Sequence, residues 1–331
     1  MKRSFVSLVC AVALAAGVLA VPARGAARPI MVWVSEVHDG IDVVVLYSDG
    51  EVSEPLNPPN TVAFYPTLSP DGTRVAFVMW NYTDLPANGW QWLPFNTIVV
   101  ADLTSGRLSA VYQNDDWLVA SPEWSPDGKR MMFVRYPKKE QGKPRQNSDL
   151  WVLEETAPEV WMPEPLSIRN GSEKWPEWSP DGRFIAYEYD PDDNNHSDKG
   201  ESHDTVIAVS PADGSGPHRH LATGRTFVTD PVFSPDGRWI AYADYTKHWA
   251  SGGTKLMVMK ADGSGQRAIA RNLRYPWALD FSPDGRFIAW GDGWKSSATR
   301  ILQVEVDAPN RKALVFDSVG YDHMPEYFPV P

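Results

Sequence analysis

The tetrapeptide Ser-Pro-Asp-Gly occurs five times in this chain of 331 residues. Its copies occupy residues 69–72, 125–128, 179–182, 234–237 and 282–285, so their starts are 56, 54, 55 and 48 residues apart. A catalytic motif has no reason to recur at such regular intervals, whereas a repeat of about 50 residues is typical of stacked or radial repeat folds. This repeat therefore constrains the fold more than any other feature of the sequence.

Each copy contains four short segments with strand-like sequence. In the third copy, apolar segments stand before and after the tetrapeptide in WPEWSPDGRFIAYEYD. Proline presets φ and glycine supplies a positive φ, as a tight turn between two strands requires. Two further strands flank an Asp-Gly turn in DTVIAVSPADGSGPHRHLA. Each copy thus predicts four antiparallel strands, which make one β-propeller blade.

The two ends of the chain supply the remaining strands. The C-terminal HMPEYFPVP matches the residues that precede the tetrapeptide elsewhere, and residues 30–56 contain three strand-like stretches. Joining strand 323–328 to strands 30–56 would complete a blade and remove the exposed edges of an open array. We therefore expect an all-β, six-bladed propeller with four antiparallel strands per blade, in which residues 28–331 form a single domain. Two separate domains or an open solenoid are the alternatives.

The pattern x-P-x-W-S-P-D-G-x-x-I-A-Y/F resembles the repeat of the TolB-type, WD40-like propellers over essentially the whole chain after residue 27. The resemblance covers the propeller only, since just the leader and a partial blade precede the first copy, where TolB has an α/β domain. Similar propellers precede the catalytic domain of prolyl oligopeptidase-type enzymes, but no G-x-S-x-G nucleophile elbow occurs here. Some TolB-like propellers act on pectic oligosaccharides, so the resemblance leaves a carbohydrate-active enzyme open.

The N-terminus has the order of a secretory signal peptide. Lys2 and Arg3 precede an apolar run and then a small-residue region, which predicts a signal peptide over residues 1–27 that is cleaved near 25–27. An uncleaved anchor is the alternative. We expect a periplasmic or secreted monomer that has no membrane span once the leader is removed. Cys10, the only cysteine, lies in the leader, and the net charge of −11 argues against nucleic acid as a partner.

The aspartates of the five tetrapeptides are predicted to be structural, because they occupy equivalent turns where Asp can accept hydrogen bonds from nearby amides. Function must therefore come from residues that differ between blades. One such position lies between the Pro and the aromatic residue of the first strand. It is acidic in four of six cases, and these four are Glu123, Glu177, Asp280 and Glu326. They form a channel carboxylate ring if they face the axis, or pair between blades if they do not.

The long loops at 81–95, 137–148, 190–204 and 245–253 are predicted to gather on one face and to carry recognition. Seven tryptophans fall in or beside such loops: Trp90, Trp92, Trp117, Trp175, Trp249, Trp277 and Trp294. Tryptophan suits protein hot spots and sugar stacking, although it also packs onto blade surfaces.

A calcium site is a further candidate, because oxygen-bearing residues in one loop have the spacing of EF-hand ligands. They are Asp190, Asp192, Asn194, Asp198 and Glu201. The alternative is a solvated acidic loop. No cofactor is otherwise required, although His203, His248 and His323 from three blades could form a metal cluster.

These features predict an exported binding or scaffolding module. Its partner would be a protein or peptide of the cell envelope, or an oligosaccharide, bound by the long-loop face and the channel mouth. The alternative is a carbohydrate lyase or hydrolase of the oligogalacturonate-lyase type, with acidic residues as acid and base.

Overall fold

The computed structural model describes residues 27–35, 41–59, 61–81, 96–137, 148–167, 171–191, 205–222, 227–245, 253–273, 276–292, 300–309, 312–317 and 323–327. The regular elements in these ranges are β-strands. The first two are β1 (Pro29–Ser35) and β2 (Asp42–Tyr47), and the last is β23 (His323–Tyr327).

The other twenty strands form five four-stranded antiparallel sheets, which we call blades A to E. Blade A contains β3 (Thr61–Leu68), β4 (Arg74–Asn81), β5 (Thr97–Asp102) and β6 (Leu108–Gln113). Blade B contains β7 (Trp117–Trp124), β8 (Arg130–Pro137), β9 (Asp149–Ala157) and β10 (Val160–Ser167). Blade C contains β11 (Ser172–Trp178), β12 (Phe184–Asp190), β13 (Val206–Pro211) and β14 (Arg219–Ala222). Blade D contains β15 (Val228–Phe233), β16 (Trp239–Asp244), β17 (Thr254–Lys260) and β18 (Arg267–Leu273). Blade E contains β19 (Pro276–Phe281), β20 (Phe287–Asp292), β21 (Arg300–Glu305) and β22 (Lys312–Asp317).

The chain ends meet in a three-stranded sheet of order β2-β1-β23. Met31 and Val32 of β1 pair antiparallel with Tyr327 and Glu326 of β23, as the sequence predicts. Beyond β2 this sheet has only one further antiparallel bridge among the described residues, between Leu46 and Val52. The predicted count of six four-stranded blades is therefore not confirmed, because the described residues contain five such blades.

The first strand of each blade is the innermost, and these strands contact one another around a closed ring in the order β3, β7, β11, β15, β19, β23. Alternation along each strand fills the space between blades. In β4, for example, Val75 and Phe77 pack against the sheet of β1 and β2, whereas Ala76 and Val78 pack against blade B. The core is thus a series of apolar layers between neighbouring sheets.

The Ser-Pro-Asp-Gly turns follow the innermost strands and have one geometry. In the first, the Gly72 amide donates to the Ser69 carbonyl at 2.8 Å, and the Ser69 hydroxyl donates to Asp71 at 2.6 Å. The Asp71 carboxylate also accepts a hydrogen bond from the Thr73 amide at 3.0 Å. All five turn glycines have φ between 68° and 69°. The hydrogen bonds from nearby amides that were expected for these aspartates are present in all five turns.

The N-terminal leader lies outside the described residues, so the signal peptide stays a prediction. Within the described ranges, no helix is long and apolar enough to cross a membrane.

Candidate functional site

A β-bulge interrupts each of the five innermost strands of blades A to E. Between Phe64 and Thr67, for instance, the pairing of β3 with β4 shifts register, and β7, β11, β15 and β19 shift at the equivalent place. One bulge residue per strand has φ between 49° and 56°, which is the left-handed region: Tyr65, Ser121, Trp175, Asp230 and Ala278. Non-glycine residues adopt this conformation rarely and at an energetic cost. The repeat thus places a different side chain at the same strained position in each blade.

These bulges surround a central cavity of about 450 Å³. Its lining runs along each innermost strand from the bulge residue to the proline of the Ser-Pro-Asp-Gly turn. The bulge residues therefore mark the inner end of the cavity, and the turn prolines mark its rim. The long loops that the sequence suggested for recognition begin at the opposite end of these strands, and most of their residues lie outside the described part of the chain.

Three of the four predicted ring carboxylates line this cavity: Glu123, Glu177 and Asp280. The fourth, Glu326, lies on β23, but its side chain is outside the described part of the structure. The described lining residues are acidic, aromatic, apolar and proline side chains together with Ser121, and there is no Lys or Arg among them. The lining therefore offers carboxyl groups and no basic side chain to whatever enters the cavity.

Glu123 is bound to the neighbouring blade. Its Oε2 accepts a hydrogen bond from the Thr67 hydroxyl of the neighbouring blade at 3.1 Å. Burial raises the pKa of Glu123 to about 8, the Thr67 hydrogen bond opposes the rise, and the Asp280 carboxylate adds to it. Glu123 and Asp280 belong to blades B and E, so the ring brings close two carboxyls that lie far apart in sequence. Near neutral pH, Glu123 holds a proton that an incoming cation could displace.

A second acidic cluster lies at the bulge of blade D, and the sequence analysis did not identify it. Burial raises the pKa of Asp230 to about 8, the Glu188 carboxylate contributes, and a hydrogen bond from the Ala278 amide opposes the rise. Burial also raises the pKa of Glu188, while Lys174, whose Nζ is 3.9 Å from Glu188 Oε1, lowers it. Two buried carboxyls thus interact here, and Lys174 offsets the charge of one of them, Glu188.

Two aromatic side chains meet at the bulge end of the cavity lining. The rings of Tyr65 and Trp175 are 5.6 Å apart in an edge-on arrangement. Burial raises the pKa of the Tyr65 hydroxyl, and Tyr136 and Asp230 raise it further. Trp175, a recognition candidate in or beside a long loop by its sequence, lies on β11 and lines the cavity.

The other predicted tryptophans divide into two groups. Trp117 begins β7 and stacks on the Arg135 guanidinium, 3.9 Å from its ring centre, while Trp151 stacks on the same group at 4.0 Å. Trp277 lies in β19 and packs against the apolar core near β1. Trp90, Trp92, Trp249 and Trp294 lie outside the described residues, so their role stays a prediction.

The predicted calcium site also stays a prediction. Asp190 is buried at the end of β12, and the other four residues of that loop lie outside the described part of the chain. Among the described residues, no group of three or more His, Cys, Asp or Glu side chains is arranged to hold a metal ion. His203 and His248 lie outside these ranges.

Comparison with known proteins identifies the fold. No protein-family model matches this chain, and no curated protein matches it. TolB from Acinetobacter baumannii superposes with a TM-score of 0.67 at 17% identity, over 90% of this chain and 66% of that one. The putative TolB from Agrobacterium tumefaciens gives a TM-score of 0.62 at 18% identity, over 92% of this chain and all of that one. An oligogalacturonate lyase in complex with manganese gives 0.60 at 14% identity, over 87% and 74%.

The chain therefore has the fold of a TolB-like β-propeller, as its repeat predicts. This chain spans just under two thirds of the Acinetobacter TolB. At these identities the likeness concerns the fold alone, so the function has to be argued from the cavity itself.

Proposed function

We propose that this protein is a binding module whose central cavity receives a cationic side chain of a protein or peptide partner. The observation that carries the proposal is the lining of the cavity. It has four acidic side chains, Glu123, Glu177, Asp230 and Asp280, and no Lys or Arg among its described residues. Burial favours the protonated form of a carboxyl group. A cation that enters the cavity can stabilise the ionised form instead, and the proton is then released.

The shape of the cavity supports an inserted side chain rather than a flat contact. A volume of about 450 Å³ lies within the range of small-ligand sites. The Tyr65–Trp175 pair at its inner end offers aromatic surface, on which the guanidinium of arginine or the ammonium of lysine is stabilised. The proline rim is rigid and apolar, which suits the aliphatic part of such a side chain.

We further propose that the three-stranded sheet of β1, β2 and β23 serves as the sixth blade of the ring. The proposed site of action is the cell envelope or its exterior, and the N-terminal sequence supports it. The long loops at the opposite end would add a second recognition surface.

Affinity capture from envelope extract of the native organism tests the proposal, with residues 28–331 as bait. A cavity variant carries Glu123→Gln, Glu177→Gln and Asp280→Asn. A matched control carries Glu154→Gln, Glu164→Gln and Asp307→Asn, which removes the same number of carboxyl groups from exposed positions outside the cavity lining. We expect a partner that the wild-type and control baits retain and the cavity variant loses. A partner retained equally by all three baits would contradict cavity binding, and no retained protein would contradict a protein partner.

A carbohydrate-active enzyme is the second candidate. Glu123, with its raised pKa, has the protonation state that a general acid needs near neutral pH. The described lining has no Lys or Arg to pair with uronate carboxylates, so a neutral oligosaccharide fits this cavity better. Incubation of the protein with neutral and uronate oligosaccharides, followed by product analysis, tests this hypothesis. Turnover that Glu123→Gln abolishes would favour the enzyme over the binding module.

A further inference from the structure

Two histidines at the outer edge of blade C lie within hydrogen-bond distance of each other. His218 directly precedes β14 and His220 lies within it, so the two side chains project from the same face of the strand. Their Nε2 atoms are 3.3 Å apart, and their ring centres are 4.8 Å apart. Since β14 is the outermost strand and β11 lines the cavity, this pair is separate from the central site.

Tyrosines of β12 hold the His218 ring in place. The hydroxyl of Tyr187, whose side chain is fully buried, lies 2.9 Å from His218 Nδ1. The ring of Tyr189 contacts His218 edge-on at 4.6 Å and His220 at 5.5 Å. When the hydroxyl accepts a hydrogen bond from Nδ1, the lone pair of His218 lies on Nε2, the atom that faces His220. This is how a metal-ligating histidine is oriented by a partner behind it.

The spacing of the two Nε2 atoms matches a chelating pair. Zinc binds imidazole nitrogen at about 2.0 to 2.1 Å, and two such ligands of a tetrahedral ion are therefore about 3.3 to 3.4 Å apart. A small shift of either ring leaves room for an ion between them. Arg219 lies between the two histidines in sequence. It lines a groove with blade D residues such as Phe233 and Asp236, so its charge lies on the face of β14 opposite to the histidines.

We propose that His218 and His220 form a bidentate site for a divalent transition-metal ion of the zinc type, with Tyr187 as a positioning residue. Imidazole ligands favour zinc, copper and nickel over calcium or magnesium. Because the described residues contain no group of three or more such ligands, water or a donor from a bound partner completes the coordination. The ion would keep coordination positions free for a partner, so the site would act as a metal-dependent contact point at the outer edge of blade C. This contact point is separate from the central cavity.

Metal titration of residues 28–331, prepared without a histidine tag and freed of metal by a chelator, tests the site. Calorimetry with Zn²⁺ should show one site, and visible absorption with Co²⁺ should report tetrahedral coordination. The variants are His218→Gln and His220→Gln, each of which should lose this site. The matched control is His38→Gln, which removes a histidine elsewhere in the chain and should retain it. Tyr187→Phe should weaken binding about tenfold, as expected for loss of an orienting hydrogen bond.

His220 is exposed, so its variant should fold, and thermal unfolding by circular dichroism verifies this for every variant. The absence of a wild-type zinc signal, or equal binding by the double variant His218→Gln/His220→Gln, would overturn the proposal. Loss of binding in both histidine variants with no change in Tyr187→Phe would keep the chelating pair and overturn the positioning role.

Discussion

Tyr65 and Trp175 meet edge-on at 5.6 Å, although their blades are separated by blade B. Both residues occupy the left-handed position of a bulge in an innermost strand. The contact therefore depends on the closure of the ring, which brings blades A and C to the same axis.

Trp175→Ala is expected to destabilise the protein by about 2 kcal/mol, because it removes a partly buried aromatic contact and leaves a void. Trp175→Phe should recover about half of that loss, since it retains a ring beside Tyr65. Urea unfolding followed by circular dichroism measures both. Equal stability of wild type and Trp175→Ala would show that the Tyr65 contact contributes nothing.

The raised pKa of Glu123 predicts how stability changes with pH. The pKa of a glutamate in an unfolded chain is about 4.3, whereas the pKa of Glu123 in the folded protein is about 8. Between these two pH values the folded state binds more protons than the unfolded state. The contribution of Glu123 to the free energy of unfolding is therefore complete at low pH and is lost as pH rises toward 8.

Glu123→Gln removes that titration. From about pH 5 to about pH 8 it should lose less stability than the wild type, by on the order of 2 kcal/mol. Urea unfolding at both pH values measures the difference, with Asp307→Asn as the exposed control. Parallel pH dependence of wild type and Glu123→Gln would contradict the raised pKa.

The turn aspartates predict the opposite behaviour in acid. Hydrogen bonds from the Ser179 hydroxyl and the Arg183 amide and side chain lower the pKa of Asp181 to about 2. The pKa of an aspartate in an unfolded chain is about 3.9. The contribution of Asp181 to the free energy of unfolding is therefore present above that pH and is lost as pH falls toward 2. Asp181→Asn should make acid unfolding less steep in this range. Acid titration followed by near-ultraviolet circular dichroism checks this, and an unchanged profile would count against the hydrogen bonds.

Backbone strain at the bulges and turns can be tested by exchanging glycine and alanine. Ala278 has φ of 49°, so Ala278→Gly should stabilise the protein by up to about 1 kcal/mol. Gly182 has φ of 68°, and an added Cβ would be 3.9 Å from Pro126, which is ordinary contact. Gly182→Ala should therefore cost about 1 to 2 kcal/mol through φ alone. Thermal unfolding of both variants decides the matter, and a destabilised Ala278→Gly would argue against strain at the bulge.

The blade architecture could be predicted from the sequence because its causes are local. Pro and Gly define the turn, the turn aspartate accepts hydrogen bonds from its neighbours, and short continuous apolar runs define strands that are buried on both faces. The pairing of the chain ends could be predicted as well, because HMPEY repeats the residues of the other innermost strands. The acidic positions Glu123, Glu177 and Asp280 were found by aligning those strands.

The chemistry of the cavity was decided only by the tertiary structure. Asp230 precedes a proline within a strand, which is a weak signal, and its acidity depends on burial and on Glu188 of blade C. Glu123 and Asp280 interact, and Tyr65 and Trp175 touch, only because ring closure brings strands from distant repeats to one axis. A repeat determines the local conformation of each blade, whereas desolvation and charge at the centre depend on all blades together.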